Sequence, residues 1–306
     1  MIFALSHNAQ WVLFSTLMLG AAAGLIGCLA YWKRQSLMSD TLAHAALPGV
    51  VAGFALAGEK HLLLMIAGAA VSALLGAWLV MGIRASSRVK EDTAMGIILS
   101  VFFGLGIMLI TMVNRMPGGN QSGLDSFIFG QAASMVRSDV YAMIGVALLV
   151  VLVTLVSFKE WKLFLFDPQY AGGMGVSGKL MNGIYAAVLV LVIVVGIQAV
   201  GVILMAALLI IPPVSARYWT NSFGRTVLLS AMFGGGAGVM GTLASTYGSG
   251  WPTGPFIVIA AAGLFLTSLI FGLRKGLLVQ FVLQLRLKKK LRKQTLARQD
   301  VPEGGV

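Results

Sequence analysis

The sequence predicts an all-α integral membrane protein, a polytopic bundle of eight or nine transmembrane helices, and three observations carry that reading. The 306 residues are 58% hydrophobic and only 10% charged, whereas soluble domains run at about 45–50% apolar and about 25% charged. Apolar runs close to the ~20 residues needed to cross a hydrocarbon core recur along the whole chain. The basic residues are sorted into alternate connections between those runs, as short cytoplasmic loops require.

Eight runs are clear, at 11–31, 62–83, 94–113, 140–158, 181–199, 202–216, 227–246 and 256–273, and a ninth at 37–56 is more polar. No Lys or Arg precedes Trp11, so the basic region of a signal peptide is missing and the first run is expected to be retained. Nine crossings place the termini on opposite faces. Of the 22 Lys and Arg, all but Lys60, Arg115 and Arg137 fall on alternate connections: Lys33 and Arg34; Arg84, Arg88 and Lys90; Lys159, Lys162 and Lys179; Arg217 and Arg225; and the stretch from Arg274 onward. This distribution predicts the N-terminus outside and the C-terminus in the cytoplasm, and it needs 37–56 as a crossing. The formal charge of +12 is therefore a topology signal and requires no nucleic acid. Residues 1–285 form the expected transmembrane domain. The basic tail 286–306 either lies on anionic membrane lipid or is solvated.

Smaller features follow. Cys28 is the one cysteine, which excludes an internal disulfide. The outer segment 114–139 has a glycine-rich start and an apolar patch, Phe127-Ile128-Phe129-Gly130, expected to be interfacial or re-entrant. The spacings Gly20/Gly24 and Gly234/Gly238 allow close helix approach.

Among ten acidic residues only Asp40 falls inside an expected span, and an ionisable group there is costly enough to mark function. His44 follows one helical turn later on the same face. Pro48 has no N–H for the His44 carbonyl, which predicts a kink and a freed oxygen beside Gly49. A carboxylate with an imidazole suits Mn²⁺, Fe²⁺ or Zn²⁺ and does not favour Cu(I). Spacing alone equally allows a pair that only hydrogen-bonds neighbouring helices or lies at the headgroups.

The string Ser36-Leu37-Met38-Ser39-Asp40 through Leu47-Pro48-Gly49-Val50 resembles the signature of the permeases of manganese/zinc/iron ABC importers, the ABC-3 family. Glu91-Asp92-Thr93-Ala94-Met95-Gly96-Ile97, Phe127-Ile128-Phe129-Gly130, Phe166-Asp167-Pro168-Gln169-Tyr170-Ala171-Gly172-Gly173-Met174-Gly175 and Gln198-Ala199-Val200-Gly201 through Pro212-Pro213 follow in the family's order. Pro213 and the length of the basic tail depart from its pattern. The resemblance implies a multi-pass cell-membrane permease paired with a second permease subunit, identical or related. It also implies an extracellular metal-binding protein that delivers the ion and a cytoplasmic ABC ATPase dimer. It assigns Asp40 and His44 to metal contact, with manganese favoured over zinc or iron as cargo, and implies no permanently bound cofactor. The chain itself would not be an enzyme. The resemblance further implies that Asp167, Pro168, Gln169, Tyr170, Ala171, Gly172, Gly173 and Gly175 form a loop that docks into the ATPase, and Asp167-Pro168 reads as an N-cap followed by a first helical residue.

Gly173-Met174-Gly175-Val176-Ser177-Gly178-Lys179-Leu180 nearly fits a phosphate-binding loop, but Leu180 cannot ligate Mg²⁺ and no strand is expected before it. A stand-alone channel or proton-coupled transporter using Asp40 and His44 as a relay is the alternative function. An intramembrane metalloprotease would need the H-E-x-x-H pair that the chain lacks.

Overall fold

The structure, a computed structural model, describes residues 7–58, 61–115, 137–248, 251–281, 283–284 and 287–288. Its helices are α1 (His7–Trp32), α2 (Ser36–Ala57), α3 (Leu62–Ser86), α4 (Glu91–Asn114), α5 (Arg137–Val156), α6 (Phe158–Phe166), α7 (Pro168–Gly173), α8 (Gly178–Val200), α9 (Val202–Trp219), α10 (Phe223–Ser245) and α11 (Thr253–Phe271). Each of the nine apolar runs has become a helix. By length and composition seven of them can cross a membrane, the bent pair α5–α6 makes an eighth candidate, and Leu204–Trp219 is a shorter apolar helix. The apolar patch 127–130 and the tail from residue 289 lie outside the described residues.

Three boundaries differ from expectation. The run 140–158 ends at Val156, and α6 leaves it at 65°. The fourth run begins at Glu91, so Glu91 and Asp92 occupy the first turn, where carboxylates complement the helix dipole. Pro48 does not break α2, which stays helical to Ala57. The carbonyl of Ala45, next to the His44 carbonyl that Pro48 leaves without its helical donor, accepts a 2.6 Å bond from Ser72 Oγ of α3, which ties α2 to α3 beside the proline. Likewise α9 runs through Pro212 and Pro213.

In lipid, helices gain little from hiding apolar surface and associate by close packing. Two glycine seams show this. A Cβ at Gly20 would overlap the Gly234 carbonyl, one at Gly24 the Ser230 carbonyl and one at Gly238 the Thr16 carbonyl, so α1 and α10 meet backbone to backbone. Ser230 Oγ donates to the Gly24 carbonyl at 2.6 Å across that seam, and the Thr16 and Thr242 hydroxyls are 2.8 Å apart. The second seam joins α2 to α3: a Cβ at Gly49 would overlap the Gly68 carbonyl and one at Gly53 the Leu64 carbonyl. Leu189, Ile193 and Ile197 of α8 are fully buried, with Leu29 of α1, Leu42 of α2 and Met205 of α9, which puts α8 near the centre. The most apolar stretches of α4 and α11 are largely unburied.

Candidate functional site

Asp40 and His44 stand one turn apart on the first half of α2. His44 Nε2 lies 3.4 Å from Asp40 Oδ1, with the side chains 15% and 34% exposed. That separation exceeds an ordinary N–H···O bond of about 2.7–3.2 Å, so the two groups face one another without satisfying one another. His44 Nδ1 is buried and has no hydrogen-bond partner among the described residues. The edge-on ring of Phe103 from α4 holds the imidazole, with centroids 4.9 Å apart. Below them, Thr41 Oγ1 donates to the Leu37 carbonyl at 2.9 Å and approaches the Met95 carbonyl of α4 at 3.4 Å. The pair thus offers one oxygen and one nitrogen donor from a helix pinned by α3 and α4. Among the described residues no third His, Cys, Asp or Glu joins them. A divalent ion, which takes four or more ligands, would have to complete its shell from elsewhere.

The Gly-rich stretch forms a distinct short helix. Asp167 caps α7, its Oδ1 accepting the Tyr170 N–H at 3.0 Å, and Pro168 takes the first helical position, where the missing N–H costs nothing. Ala171 faces inward and is buried, while Tyr170 and Met174 are exposed. Cβ atoms added at Gly172, Gly173 or Gly175 would meet nothing within 4 Å, and Gly175 turns the chain at φ 85°. Gln169 lies on the exposed side as well. The phosphate-loop look-alike is a helix start: Ser177 caps α8, its Oγ accepting the Leu180 N–H at 3.4 Å, with no strand among the described residues.

The basic connections meet at one end of the bundle. Lys33 Nζ donates to Asn182 Oδ1 at 2.7 Å and sits 3.9 Å over the Tyr185 ring. Glu91 accepts from Gln35 Nε2 and pairs with Arg84 at 3.2 Å. Burial pushes the Lys33 ammonium down to about 8, opposed by the Glu91 carboxylate. Beside this cluster Arg217 stacks over Trp32 at 4.8 Å, and a cavity of about 580 Å³ is lined by Arg34, Ser36, Asp92, Phe166 and Arg217 among others. The sequence marked Lys33 only as a topology charge. Asn182, Tyr185, Ser72 and Phe103 carried no signal at all, being ordinary residues in apolar or helical runs.

The chain matches the ABC 3 transport family over residues 6–272. It is 44% identical over 283 residues to the manganese transport system membrane protein MntC of Bacillus subtilis, which covers 92% of this chain; this chain spans 65% of that relative's length. It is 41% identical to the zinc transport system membrane protein TroC of Treponema pallidum, covering 90% of this chain and 92% of that protein. A chain of PsaBC from Streptococcus pneumoniae, solved in complex with a Fab, has the same fold with a TM-score of 0.77 at 33% identity, covering 89% of this chain and 95% of that one. A match across nearly every helix, including the one that bears Asp40 and His44, means that this multi-pass membrane protein belongs to the ABC 3 transport family.

Proposed function

We propose that this chain is the permease of an ATP-driven divalent-metal importer, with manganese as cargo and Asp40 and His44 as its metal donors. The observation that carries the reading is the donor pair itself: an oxygen and a nitrogen, 3.4 Å apart, half-open and mutually unsatisfied on a span. Such a set suits Mn²⁺, Fe²⁺ and Zn²⁺ alike, and the manganese and zinc in the relatives' names agree with that range. A second permease subunit brings a second pair, so four mixed ligands hold one ion loosely enough for release. The ion arrives from an extracellular binding protein. The end that gathers Lys33, Arg34, Arg84 and Arg217 is cytoplasmic by the positive-inside rule, and α7, with its exposed Tyr170 and uncrowded glycines, docks into the ATPase dimer. Hydrolysis in that partner drives the permease between outward- and inward-open states.

Uptake of manganese and zinc by cells carrying Asp40→Ala or His44→Ala tests the assignment. Uptake is expected to collapse while the protein persists in the membrane, and unchanged uptake overturns the donor roles. Transport by the purified chain without any ATPase would overturn the energy source.

A further inference from the structure

We propose that Lys33 is a positioning residue for transport, passing the movement of α7 to the helix that carries Asp40 and His44 through Asn182 and Tyr185 of α8. The inference rests on the reading of α7 as the ATPase-facing element and of Asp40/His44 as the metal donors.

The connection from α7 to α8 leaves no slack. Met174 N–H donates to the Tyr170 carbonyl at 3.0 Å and Val176 N–H to the Ala171 carbonyl at 2.9 Å, so the exit turn is tied to α7 while Ser177 caps α8. A displacement of α7 therefore carries the first turns of α8 with it. Asn182 and Tyr185 lie on those turns at a spacing of three, hence on one face. Both grip Lys33, at 2.7 and 3.9 Å. Lys33 in turn belongs to a tight connection in which Arg34 adopts a left-handed φ of 59°, Gln35 N–H donates to the Ala30 carbonyl and Met38 N–H to the Gln35 carbonyl. That connection opens α2 only a few residues before Asp40. Gln35 and Arg84 share the Glu91 carboxylate, so the starts of α2 and α4 and the end of α3 are tied at one point.

As mere glue this is a poor choice. The direct partners of the ammonium are an amide oxygen and a ring face, whereas burying a charge costs free energy that an apolar side chain would not. A cation held by two directional contacts on α8 does what an apolar side chain cannot: it links α8 to α2 in one geometry and releases in another.

The test uses the complete transporter, permease with its ATPase and delivery protein, in liposomes. ATP hydrolysis, Mn²⁺ binding and Mn²⁺ uptake are measured for wild type, Lys33→Met, Lys33→Arg, Asn182→Leu and Asp40→Ala. Lys33→Met and Asn182→Leu are expected to keep ATP hydrolysis and Mn²⁺ binding within about twofold while ions moved per ATP fall about tenfold, and Lys33→Arg should restore most of the ratio. A wild-type ratio in Lys33→Met or Asn182→Leu overturns the proposal. So does a parallel loss of hydrolysis, binding and uptake in both, which would make Lys33 a packing residue. Asp40→Ala separates the two readings: if it binds and transports Mn²⁺ normally, it is the metal assignment that has failed, whatever Lys33→Met does.

Discussion

The two halves of α2 meet at Pro48 and are built in opposite ways. Beyond it, Gly49 and Gly53 press bare backbone against Gly68 and Leu64 of α3, leaving no room for any side chain. Before it, Ser39, Asp40, Thr41 and His44 crowd polar groups into two turns; Thr41 finds carbonyls, while Ser39 Oγ and His44 Nδ1 are buried without partners among the described residues. One half is therefore fixed to its neighbour and the other holds unmet bonding capacity. On the proposed reading of Asp40 and His44 as metal donors, the contrast shows how a membrane helix would present exchangeable ligands: anchored on a seam that cannot yield, with the ligands' own surroundings left incomplete.

Breaking the fixed half should have the largest effect. Gly49→Val would drive α2 from α3 against backbone with no flexible side chain to give way, and solubilised protein is expected to lose its monodisperse size-exclusion peak; a normal peak would show that the seam is not rigid. Ser72→Ala sharpens the comparison at the boundary, since it strips the donor from the Ala45 carbonyl. A loss of about 1 kcal/mol in thermal stability is expected, typical of a side-chain bond between membrane helices. The next effect is a pH dependence. Lys33 gives up its proton near 8 in the folded protein and near 10.5 when unfolded, so the unfolded chain binds more protons between those values and stability should rise with pH across that window. Melting curves of wild type and Lys33→Met should diverge there, the variant lacking this rise. Smallest of all, Gly172→Ala adds a Cβ that meets nothing and should shift stability by less than about 0.5 kcal/mol, so a loss of ATPase binding without a loss of stability would support the proposed docking of α7.

Much of this was legible in the residues because a bilayer writes its constraints into composition. Its thickness fixes the length of the apolar runs, which is why each of the nine became a helix. The cost of a buried charge singled out Asp40. Four-residue glycine spacing marked the α1–α10 seam at Gly20/Gly24 and Gly234/Gly238. The cap on α7 could be read from Asp167-Pro168 because capping is local chemistry. The bend at Ser157 could not: Lys159, Glu160 and Lys162 end the apolar run there and mark a connection, but nothing local says that the connection is itself a helix leaving at 65°. The partners of Lys33 were invisible too: Asn182 lies 149 residues away, and a contact made only by the packed fold leaves no local pattern. Phe103 fell within a run whose every residue already looked lipid-compatible.

The 65° turn between α5 and α6 would make α6 a lever if α7 is pushed by an ATPase as proposed. Nine residues at about 1.5 Å each give an arm of about 13 Å, so a 2 Å push at its tip, where α7 begins, corresponds to roughly 8° about Ser157. The arm is braced midway along its length, where Trp161 is buried and its ring stands 6.5 Å from that of Tyr185. On the proposed docking of α7, torque applied through α6 would bear on the same aromatic that supports the Lys33 ammonium, so that the two arms of the basic end would share a single bearing.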